Sequence, residues 1–424
     1  MTTAPPPSNL RRAAPIIAGL CSVYILAHFY RVSTGVIAPD IMAETGIGAE
    51  AMGGLSGAFF FAFALFQIPV GILLDRFGPR LVVPLLLIFA VVGALVFAVS
   101  DSALGLTIGR ALMGMGTASI LMGSLVVATR WFPPDRFAAV ASFFVAMGTL
   151  GALIATTPLA AVSEAAGWRG AFFIMAGVTL LFGVVAFLVV RDAPPGHAYY
   201  TRKHESLRQV ARGLGEVLRN PQLKFIVSIN SVAYAAVLAI TALWGGPYLA
   251  QVYGLEPVAR GNVLLLMTVG QVLGHLTYGR LDRILDTRKG LILFGATASI
   301  AILLILALSP ALPLWGVTTM FVAFGFISGY SVIITTHGRA IFPERLVGRG
   351  MTTNNTSVFL GAAIVQWATG AIIGAFVTDA GETPEVAYRV MFGFLAALQI
   401  AALVFYSRAQ DVKPSQDQAR QRAG

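Results

Sequence analysis

Charged residues are scarce in this sequence. Asp, Glu, Lys and Arg together make up 11% of the 424 residues, whereas apolar residues make up 57%. A soluble globular chain is about 25% charged and roughly 45–50% apolar. The shortage of charge therefore excludes a soluble multidomain enzyme and predicts an integral membrane protein.

Cysteine is nearly absent, and the sequence patterns of several ligand sites are missing. Cys21 is the single cysteine, so an internal disulfide is excluded. The chain has no Gly-x-x-x-x-Gly-Lys run, which argues against ATP as an energy source, and no His, Cys and Asp cluster at metal-ligand spacing. We therefore expect no cofactor and no metal. The apolar runs hold no paired acids or nucleophile–base set, so the protein is predicted not to be an enzyme.

Long apolar runs, in contrast, are plentiful. Twelve membrane spans of about 20 residues would use about 240 residues, close to the apolar total. Runs of this length are helices, because the backbone in a bilayer must satisfy its own polar groups. The predicted fold class is all-α integral membrane, with twelve transmembrane helices at 14–37, 51–73, 81–99, 103–128, 138–161, 169–190, 223–247, 259–278, 290–308, 313–336, 351–376 and 387–406.

The basic residues are distributed unevenly between the two sides of these spans. If both termini are cytoplasmic, only Arg169, Arg260 and Arg389 of the 29 Lys and Arg residues lie in the opposite loops. Basic residues favour cytoplasmic loops, so we predict a multi-pass protein of the cytoplasmic (inner) membrane with both termini in the cytoplasm. Most of the basic residues that produce the net charge of +10 lie between the apolar runs. This charge therefore indicates topology rather than a nucleic-acid partner.

Two short motifs recur in the second half of the chain. Asp75 after the second span matches Asp282 after the eighth, and Phe132 after the fourth matches Phe342 after the tenth, at offsets of 207 to 210 residues. A constant offset indicates an internal duplication, and an even number of spans in each half gives both halves the same orientation. We predict a six-helix half at 1–190, a cytoplasmic linker with a short amphipathic helix at 191–222, and a second six-helix half at 223–424.

The segment between the second and third spans carries a longer motif. Residues 71–80 read Gly-x-x-x-Asp-Arg-x-Gly-x-Arg, which at this place resembles the signature loop of the major facilitator superfamily. The resemblance implies that fold, with two parallel six-helix repeats that rock around a central cavity in secondary transport. Asp75 could sit against the amino terminus of span eleven and hold a cytoplasmic gate closed; the alternative is that these are ordinary topology charges. The gating candidates are Gly71, Asp75, Arg76, Gly78, Arg80, Asp282 and Arg283.

None of the acidic residues lies inside a predicted span, whereas Arg31 and Arg110 do. An arginine at the centre of a span costs about 2.5–3.5 kcal/mol on insertion scales, so it usually faces a cavity or a partner. This pattern favours an anionic substrate, and a carboxylate could also reach His28 or Tyr30 on the same helix. The alternatives are a position at the outer interface for Arg31 and a structural hydrogen bond to carbonyl groups of span one for Arg110.

Tyr30-Arg31-x-Ser33 and the Arg110-x-x-x-Gly pattern resemble the organic-anion symporters of the superfamily. Those symporters commonly have acids beside the first Arg and seven residues after the second, where this chain has Tyr30 and Thr117, so proton coupling stays open. If a proton is co-transported, His28 and His275 are the titratable candidates. For the other polar residues within spans, a helix–helix hydrogen bond is the alternative to substrate contact; these residues are Asn230, Tyr234, Trp244, Gln271, Tyr330, Asn354 and Asn355.

The sequence thus predicts a secondary active transporter that moves a small organic anion by alternating access. Its expected partners are the anionic solute and the lipid bilayer, with the functional unit a monomer. Two alternatives stay open: an exporter of amphipathic compounds, which would tolerate loss of Arg31 better, and a solute sensor that does not transport.

Overall fold

The computed structural model describes residues 9–132, 134–195, 207–378 and 383–415, and their regular secondary structure is helical. A π-helical segment, Ile240–Trp244, separates α10 from α11. In chain order the α-helices are α1 (Asn9–Val32), α2 (Thr34–Thr45), α3 (Ala49–Phe77), α4 (Pro79–Val99), α5 (Ala103–Thr117), α6 (Ile120–Trp131), α7 (Pro134–Ile154), α8 (Thr157–Val189), α9 (Leu207–Leu218), α10 (Leu223–Ala239), α11 (Gly245–Tyr253), α12 (Pro257–Leu285), α13 (Lys289–Leu308), α14 (Leu314–Ser328), α15 (Ser331–Ala340), α16 (Glu344–Gly374) and α17 (Glu385–Tyr406).

Within the described residues, 10 helical stretches are long and apolar enough to cross a membrane. The span predicted at 138–161 falls on α7, which contributes the shorter apolar helix Ala139–Ile154. The span predicted at 259–278 falls on α12, a 29-residue helix that is not among these 10 stretches. The polar residues Gln271 and His275 lower its mean hydropathy. The all-helical membrane class is confirmed, and the number of twelve spans stays a prediction.

Large apolar side chains remain exposed along these helices. Leu104, Ile284 and Trp315 are 71%, 73% and 75% exposed, respectively. Extended apolar surface of this kind marks contact with another molecule or a membrane. On helices long enough to cross a bilayer, it forms the lipid-facing surface.

Several predicted spans contain a break in the α-helix. Span one breaks between α1 and α2, span four between α5 and α6, span seven at the π segment, and span ten between α14 and α15. The interruption thus recurs in every third span, and span five has a further break between α7 and α8. Irregular backbone at membrane depth is tolerated where protein or a water-filled cavity surrounds it, so these breaks mark positions turned away from lipid.

The chain divides into two compact units, the first of which contains residues 1–33 and 58–205. In this unit α1 packs against α7, and α4 packs against both α5 and α8. Gly114 of α5 approaches α3 so closely that a Cβ atom would collide with the Phe59 carbonyl group. Small residues permit such close helix packing in membrane proteins.

The second unit contains residues 34–57 and 206–424. In it α10 packs against α16, and α13 packs against both α14 and α17. These pairs repeat those of the first unit six spans later, since α1–α7 corresponds to α10–α16 and α4–α8 to α13–α17. The repeated pairing supports the internal duplication indicated by the motifs.

Helix α2 and the first part of α3 belong to the second unit, although they precede most of the first unit in sequence. Two close backbone approaches explain this assignment. A Cβ atom on Gly53 would collide with the main chain of Gly370 on α16, and a Cβ atom on Gly35 would collide with the Thr241 carbonyl group in the π segment. The lack of side chains at these glycines therefore lets α2 pack tightly against the π segment, and lets the first part of α3 pack tightly against α16.

Helix α9 falls in the segment predicted to carry an amphipathic linker helix. It packs against α16, and Gly213 lies so close to the guanidinium group of Arg349 that a Cβ atom would collide with it. The linker helix is thus docked on the beginning of α16.

Candidate functional site

Arg31 lies in the last turn of α1, directly before the break that separates this helix from α2. Its side chain is buried, and the residue is 7% exposed. Nη1 lies 3.3 Å from Nε2 of His28, and the guanidinium group lies over the ring of Phe63 at 5.4 Å from the ring centroid. The prediction that Arg31 and His28 share one helix face agrees with this contact.

The contact with Arg31 defines the tautomer of His28. A guanidinium group has only donors, so Nε2 of His28 must accept the hydrogen bond, and the proton of the neutral imidazole then lies on Nδ1. The imidazole ring also packs edge-to-face against Tyr24, with 4.6 Å between ring centroids. On α7, Gly148 and Gly151 leave room for the His28 side chain, because a Cβ atom at either position would crowd it.

Arg110 of α5 is fully buried in the first unit. Its Nη1 donates to the main-chain oxygen of Tyr30 at 2.6 Å, and its guanidinium group lies 4.5 Å from the ring centroid of Phe59. Nε and Nη2 have no hydrogen-bond partner within the described part of the chain. Arg110 therefore makes the structural hydrogen bond to span one that is the alternative to a substrate role, and two of its nitrogen atoms keep unused N–H groups.

Tyr30 faces away from Arg31. Its hydroxyl group lies 2.8 Å from Oγ1 of Thr179 and 3.2 Å from the main-chain oxygen of Met175, both on α8, and the side chain is buried. Successive residues on a helix point about 100° apart, because one turn takes 3.6 residues. The Tyr30 side chain consequently joins α1 to α8, while its carbonyl group holds Arg110.

The structure thus brings His28, Tyr30, Arg31 and Arg110 together in the first unit, around the break at the end of α1. The other predicted substrate contacts lie in the second unit and are dispersed over several elements there. They are Asn230 and Tyr234 on α10, Trp244 in the π segment, Gln271 and His275 on α12, Tyr330 between α14 and α15, and Asn354 and Asn355 on α16.

Two aromatic candidates of the second unit make contacts that link helices. Nε1 of buried Trp244 donates to Oγ1 of Thr369 at 2.8 Å. The ring of Tyr234 packs edge-to-face against Phe359, with 5.8 Å between centroids. These contacts are of the helix–helix kind weighed as the alternative to substrate contact.

The remaining candidates of the second unit differ in burial. Nε2 of His275 lies 3.4 Å from Oγ of Ser331. Tyr330 is buried, and its hydroxyl group has no hydrogen-bond partner among the residues that the structure describes. Asn230 and Asn354 are buried, whereas Gln271 and Asn355 are half-buried.

The signature loop of the first unit is held by a carboxylate that follows the sixth span. Gly78 joins α3 to α4 with a φ of 79°, a left-handed conformation that favours glycine. Oδ1 of Asp192 accepts a hydrogen bond from the Arg80 main-chain N–H at 2.8 Å, and a Cβ atom on Gly78 would collide with this carboxylate. Burial raises the pKa of Asp192, while the Arg80 N–H and the charges of Arg130 and Arg80 oppose the rise.

The other gating candidates of this loop are more accessible. Asp75 and Arg76 are exposed and Gly71 is half-buried. The guanidinium group of Arg76 lies over the ring of Phe77 at 5.6 Å. The contact of Asp75 with span eleven stays a prediction.

The second unit repeats the carboxylate anchor. Oδ1 of Asp411 accepts a hydrogen bond from the Lys289 main-chain N–H at 3.0 Å, and Oδ2 accepts one from Oγ1 of Thr287 at 2.9 Å. Lys289 is the first residue of α13, and Arg80 is the second residue of α4. Asp282 lies 3.7 Å from Nε of Arg288, whereas the side chain of Arg283 lies outside the described residues.

Sequence reasoning missed both anchoring carboxylates. Asp192 and Asp411 are each the first acidic residue after the sixth span of their half, and this shared position was the signal that could have found them. The main-chain oxygen of the residue before each carboxylate also contacts a ring nitrogen. Trp131 Nε1 donates to the main-chain oxygen of Arg191 at 2.9 Å, and His337 Nε2 lies 2.9 Å from the main-chain oxygen of Gln410.

One buried ion pair in the second unit was also missed. Nη2 of Arg260, on α12, lies 2.5 Å from Oδ2 of Asp40 on α2, and Nε donates to the main-chain oxygen of Val36 at 3.0 Å. Arg260 is 4% exposed. The sequence indicated only a loop charge at this position, because the pairing depends on how α2 packs.

The sequence model of the Major Facilitator Superfamily matches residues 20–366 of this chain. The chain belongs to the major facilitator superfamily. Two solved structures of transporters in similar folds cover nearly all of it. A bacterial homologue of the human lysosomal transporter Spinster, in an inward-facing and occupied conformation, has a TM-score of 0.76 and 19% identity over 93% of this chain and 97% of that chain. A mutant of the nucleoside transporter NupG has a TM-score of 0.74 and 11% identity over 92% and 99%.

Three of the curated relatives are named as transporters of organic anions. The probable sulfoacetate transporter SauU of Cupriavidus necator is 26% identical over 67% of this chain and 70% of the relative. A putative tartrate transporter of Agrobacterium vitis is 23% identical over 86% of both chains. The D-galactonate transporter of Escherichia coli O6:H1 is 25% identical over 90% of this chain and 93% of the relative. As a superfamily member, the protein is a membrane transporter and not an enzyme.

Proposed function

We propose that this protein is a secondary active transporter that moves a small organic anion with a carboxylate group across the cytoplasmic membrane by alternating access. The observation that carries the proposal is the pair of buried guanidinium groups, Arg31 and Arg110, around the end of α1. Neither α1 nor α5 contains an acidic residue. Burial of a guanidinium group costs free energy. The relatives named as transporters of sulfoacetate, tartrate and galactonate support the proposal that the buried guanidinium groups serve to bind an anion.

The two arginines have different roles in this proposal. Arg31 is the substrate contact, because its planar guanidinium group can bind both oxygens of a carboxylate. Arg110 is a positioning residue, since its hydrogen bond to the Tyr30 carbonyl group fixes the last turn of α1, which carries Arg31. Phe63, beneath the Arg31 guanidinium group, limits the directions from which an anion can approach.

We propose that His28 binds the co-transported proton. Protonation of Nε2 would place a donor of His28 against a donor of Arg31 and end their 3.3 Å contact. That change would release Nη1 of Arg31 for a carboxylate and add a second positive charge nearby. We therefore propose that proton binding at His28 and anion binding at Arg31 favour each other, which is the requirement for symport.

Uptake into proteoliposomes tests the anion proposal. Radiolabelled tartrate, galactonate and sulfoacetate would be compared with a neutral sugar and a cationic amphipathic dye. Loss of a charge-assisted hydrogen bond costs about 1.5–3 kcal/mol, so Arg31→Gln should lower anion uptake roughly 10- to 150-fold and Arg31→Lys by less. Arg219→Gln, which removes an exposed arginine, is the control. Undiminished uptake by Arg31→Gln, or transport of the dye alone by the parent, would contradict the proposal.

An imposed pH gradient tests the coupling separately. Anion uptake by the parent should rise when the outside is made acidic, and His28→Gln should abolish this response. His275→Gln changes the other histidine predicted as a shuttle and should keep the response. If uptake by the parent ignores the gradient, symport is refuted while anion transport stands.

The proposed orientation places both termini in the cytoplasm, on the basis of the loop charges. A fluorescent protein fused to the carboxyl terminus should fold and emit, whereas alkaline phosphatase fused there should be inactive. The opposite pair of results would reverse the orientation. The functional unit is proposed to be a monomer, so one chain in each lipid nanodisc should bind the anion as well as detergent-solubilised protein does.

A further inference from the structure

An apolar groove of about 540 Å³ lies on the surface of the first unit, between α3, α4 and α8. Its walls include Phe77 on α3, Leu81, Leu85 and Ile88 on α4, and Phe187 on α8. Ligand sites in proteins have volumes of about 300–1,000 Å³, so the groove is large enough for a specific occupant. Its walls offer almost no polar groups, which excludes a small carboxylate as that occupant.

The length of the groove matches one leaflet of a bilayer. Along α4 it runs from Leu81, close to the turn that joins α3 to α4, as far as Val91. Ten residues of α-helix extend about 15 Å, which is half of a hydrocarbon core about 30 Å thick. An acyl chain that enters at the α3–α4 turn would therefore reach the bilayer midplane at the end of the groove.

Two arginines lie at the end of the groove that meets this turn. The guanidinium group of Arg76 lies over the ring of Phe77 at 5.6 Å, and that of Arg80 lies over the ring of Phe187 at 5.7 Å. Both rings line the groove. Nε of Arg80 is buried without a hydrogen-bond partner among the described residues. The mouth thus presents two positively charged guanidinium groups next to apolar walls.

Acidic side chains near the mouth do not remove this charge. The Asp192 carboxylate receives the Arg80 main-chain N–H, and it faces the charges of both Arg130 and Arg80. Asp75 is exposed at the end of α3. Arg76, Arg80 and Arg130 therefore exceed the two carboxylates in charge.

We propose that this groove binds one anionic phospholipid, with an acyl chain between α3, α4 and α8 and the headgroup phosphate on Arg76 and Arg80. Arginine is well suited to phosphate because its planar group can donate two parallel hydrogen bonds. A zwitterionic lipid carries a cation that the arginines would repel, so headgroup charge determines which lipid is retained. The proposal does not depend on the nature of the transported solute.

Native mass spectrometry of the full chain, released from detergent with added lipid, tests the proposal. Phosphatidylglycerol is the anionic probe and phosphatidylcholine with the same acyl chains is the zwitterionic comparison. The parent should retain one phosphatidylglycerol with at least tenfold higher affinity than phosphatidylcholine. Arg76→Gln combined with Arg80→Gln should bring the two affinities together, whereas Arg219→Gln, which removes an exposed arginine just after α9, should leave the preference intact.

A second variant blocks the groove without changing charge. Gly183 lies in the groove wall, and a Cβ atom there would make ordinary contact with Leu87, so Gly183→Leu fits the fold and fills the space beyond. This variant should lose the retained lipid. Gly177→Leu, on the same helix with open space around it, should keep it. A common melting temperature would show that each pair of variants is equally folded.

Photocrosslinking locates the bound lipid. Phosphatidylglycerol with a diazirine in its acyl chain should label peptides from 73–91 and 179–187. The proposal is overturned if the parent binds both lipids equally, if Gly183→Leu retains lipid as the parent does, or if labelling falls elsewhere in the chain.

Discussion

Arg110 and Arg260 are both buried arginines, one in each unit, and their surroundings differ. Arg260 of the second unit donates to the Asp40 carboxylate and to the Val36 carbonyl group. Arg110 of the first unit donates to the Tyr30 carbonyl group, with Nε and Nη2 left without hydrogen-bond partners in the described ranges. The charge of a buried guanidinium group is compensated when a carboxylate pairs with it, whereas a buried guanidinium group without a carboxylate partner lowers the stability of the folded protein.

The same contrast extends to the neutral polar residues. The two units repeat one scheme of helix pairs, yet the predicted substrate contacts of the second unit include no Arg, Lys, Asp or Glu, and Trp244 uses its N–H on Thr369. The two units thus share one packing scheme, while the chemistry of their candidate residues differs. The first unit concentrates positive charge around the end of α1, and the second unit supplies hydrogen bonds between helices.

The largest expected effect is on transport by Arg110→Met. Methionine has a similar length and no donors, so it removes a buried charge whose hydrogen bonding is incomplete. The melting temperature should stay equal or rise, while anion uptake should fall at least tenfold because the last turn of α1 loses its support. Uptake by proteoliposomes and thermal unfolding in detergent measure the two quantities. A fall in melting temperature that accounts for the lost uptake would show that Arg110 stabilises the fold instead.

Asp40→Asn probes the paired arginine of the second unit. Removing one partner of a buried ion pair costs about 3–5 kcal/mol, and the Asp40 side chain is 29% exposed, so we expect about 1–3 kcal/mol of lost stability, measured by thermal unfolding. Asp101→Asn breaks the exposed pair with Arg169 and should cost less than about 1 kcal/mol. Equal effects of the two substitutions would contradict the distinction.

Trp244→Phe should have a smaller effect. The indole N–H donates to Oγ1 of Thr369, and a neutral hydrogen bond contributes about 0.5–1.5 kcal/mol. Thr369→Val should cause a similar loss in thermal stability. In a double-mutant cycle the two losses should be less than additive, because both remove one interaction. Full additivity would show that the contact contributes nothing.

Much of the fold could be predicted from the sequence, because the bilayer imposes a simple requirement on each span. The span predicted at 81–99 is α4, Pro79–Val99, and the span predicted at 387–406 is α17, Glu385–Tyr406. About 20 apolar residues are needed to cross the hydrocarbon core, and this length can be read directly from the chain.

The contacts of the candidate site were harder to predict, because they depend on tertiary packing. Arg31 and His28 meet through helix spacing alone and were predicted together. Tyr30 adjoins Arg31 in sequence but faces α8, and only the position of α8 determines its partner. The pair of Arg260 with Asp40 joins residues 220 positions apart, for which no local pattern exists.

The smallest effect is expected on the pH dependence of thermal stability, and it compares variants of the two anchoring carboxylates, Asp192 and Asp411. Burial raises the pKa of Asp192 above the ordinary value of 3.8, so the folded protein binds a proton there more tightly than the unfolded chain does. The stability gained from this proton is fully present below pH 3.8 and is lost as the pH rises through the raised pKa. The melting temperature of the parent relative to that of Asp192→Asn should therefore fall as the pH rises from about pH 4, by a change on the order of 1 °C.

Asp411→Asn is the matched variant in the second unit, since Asp411 also receives the main-chain N–H of the residue that begins the third span of its half. With Asp411→Asn as the starting protein, adding Asp192→Asn should reveal the same fall, because the fall is assigned to Asp192. Asparagine keeps a carbonyl oxygen for the N–H in both variants, so neither should unfold the protein. If the fall is absent when Asp411→Asn is the starting protein, the assignment of the fall to Asp192 alone is wrong.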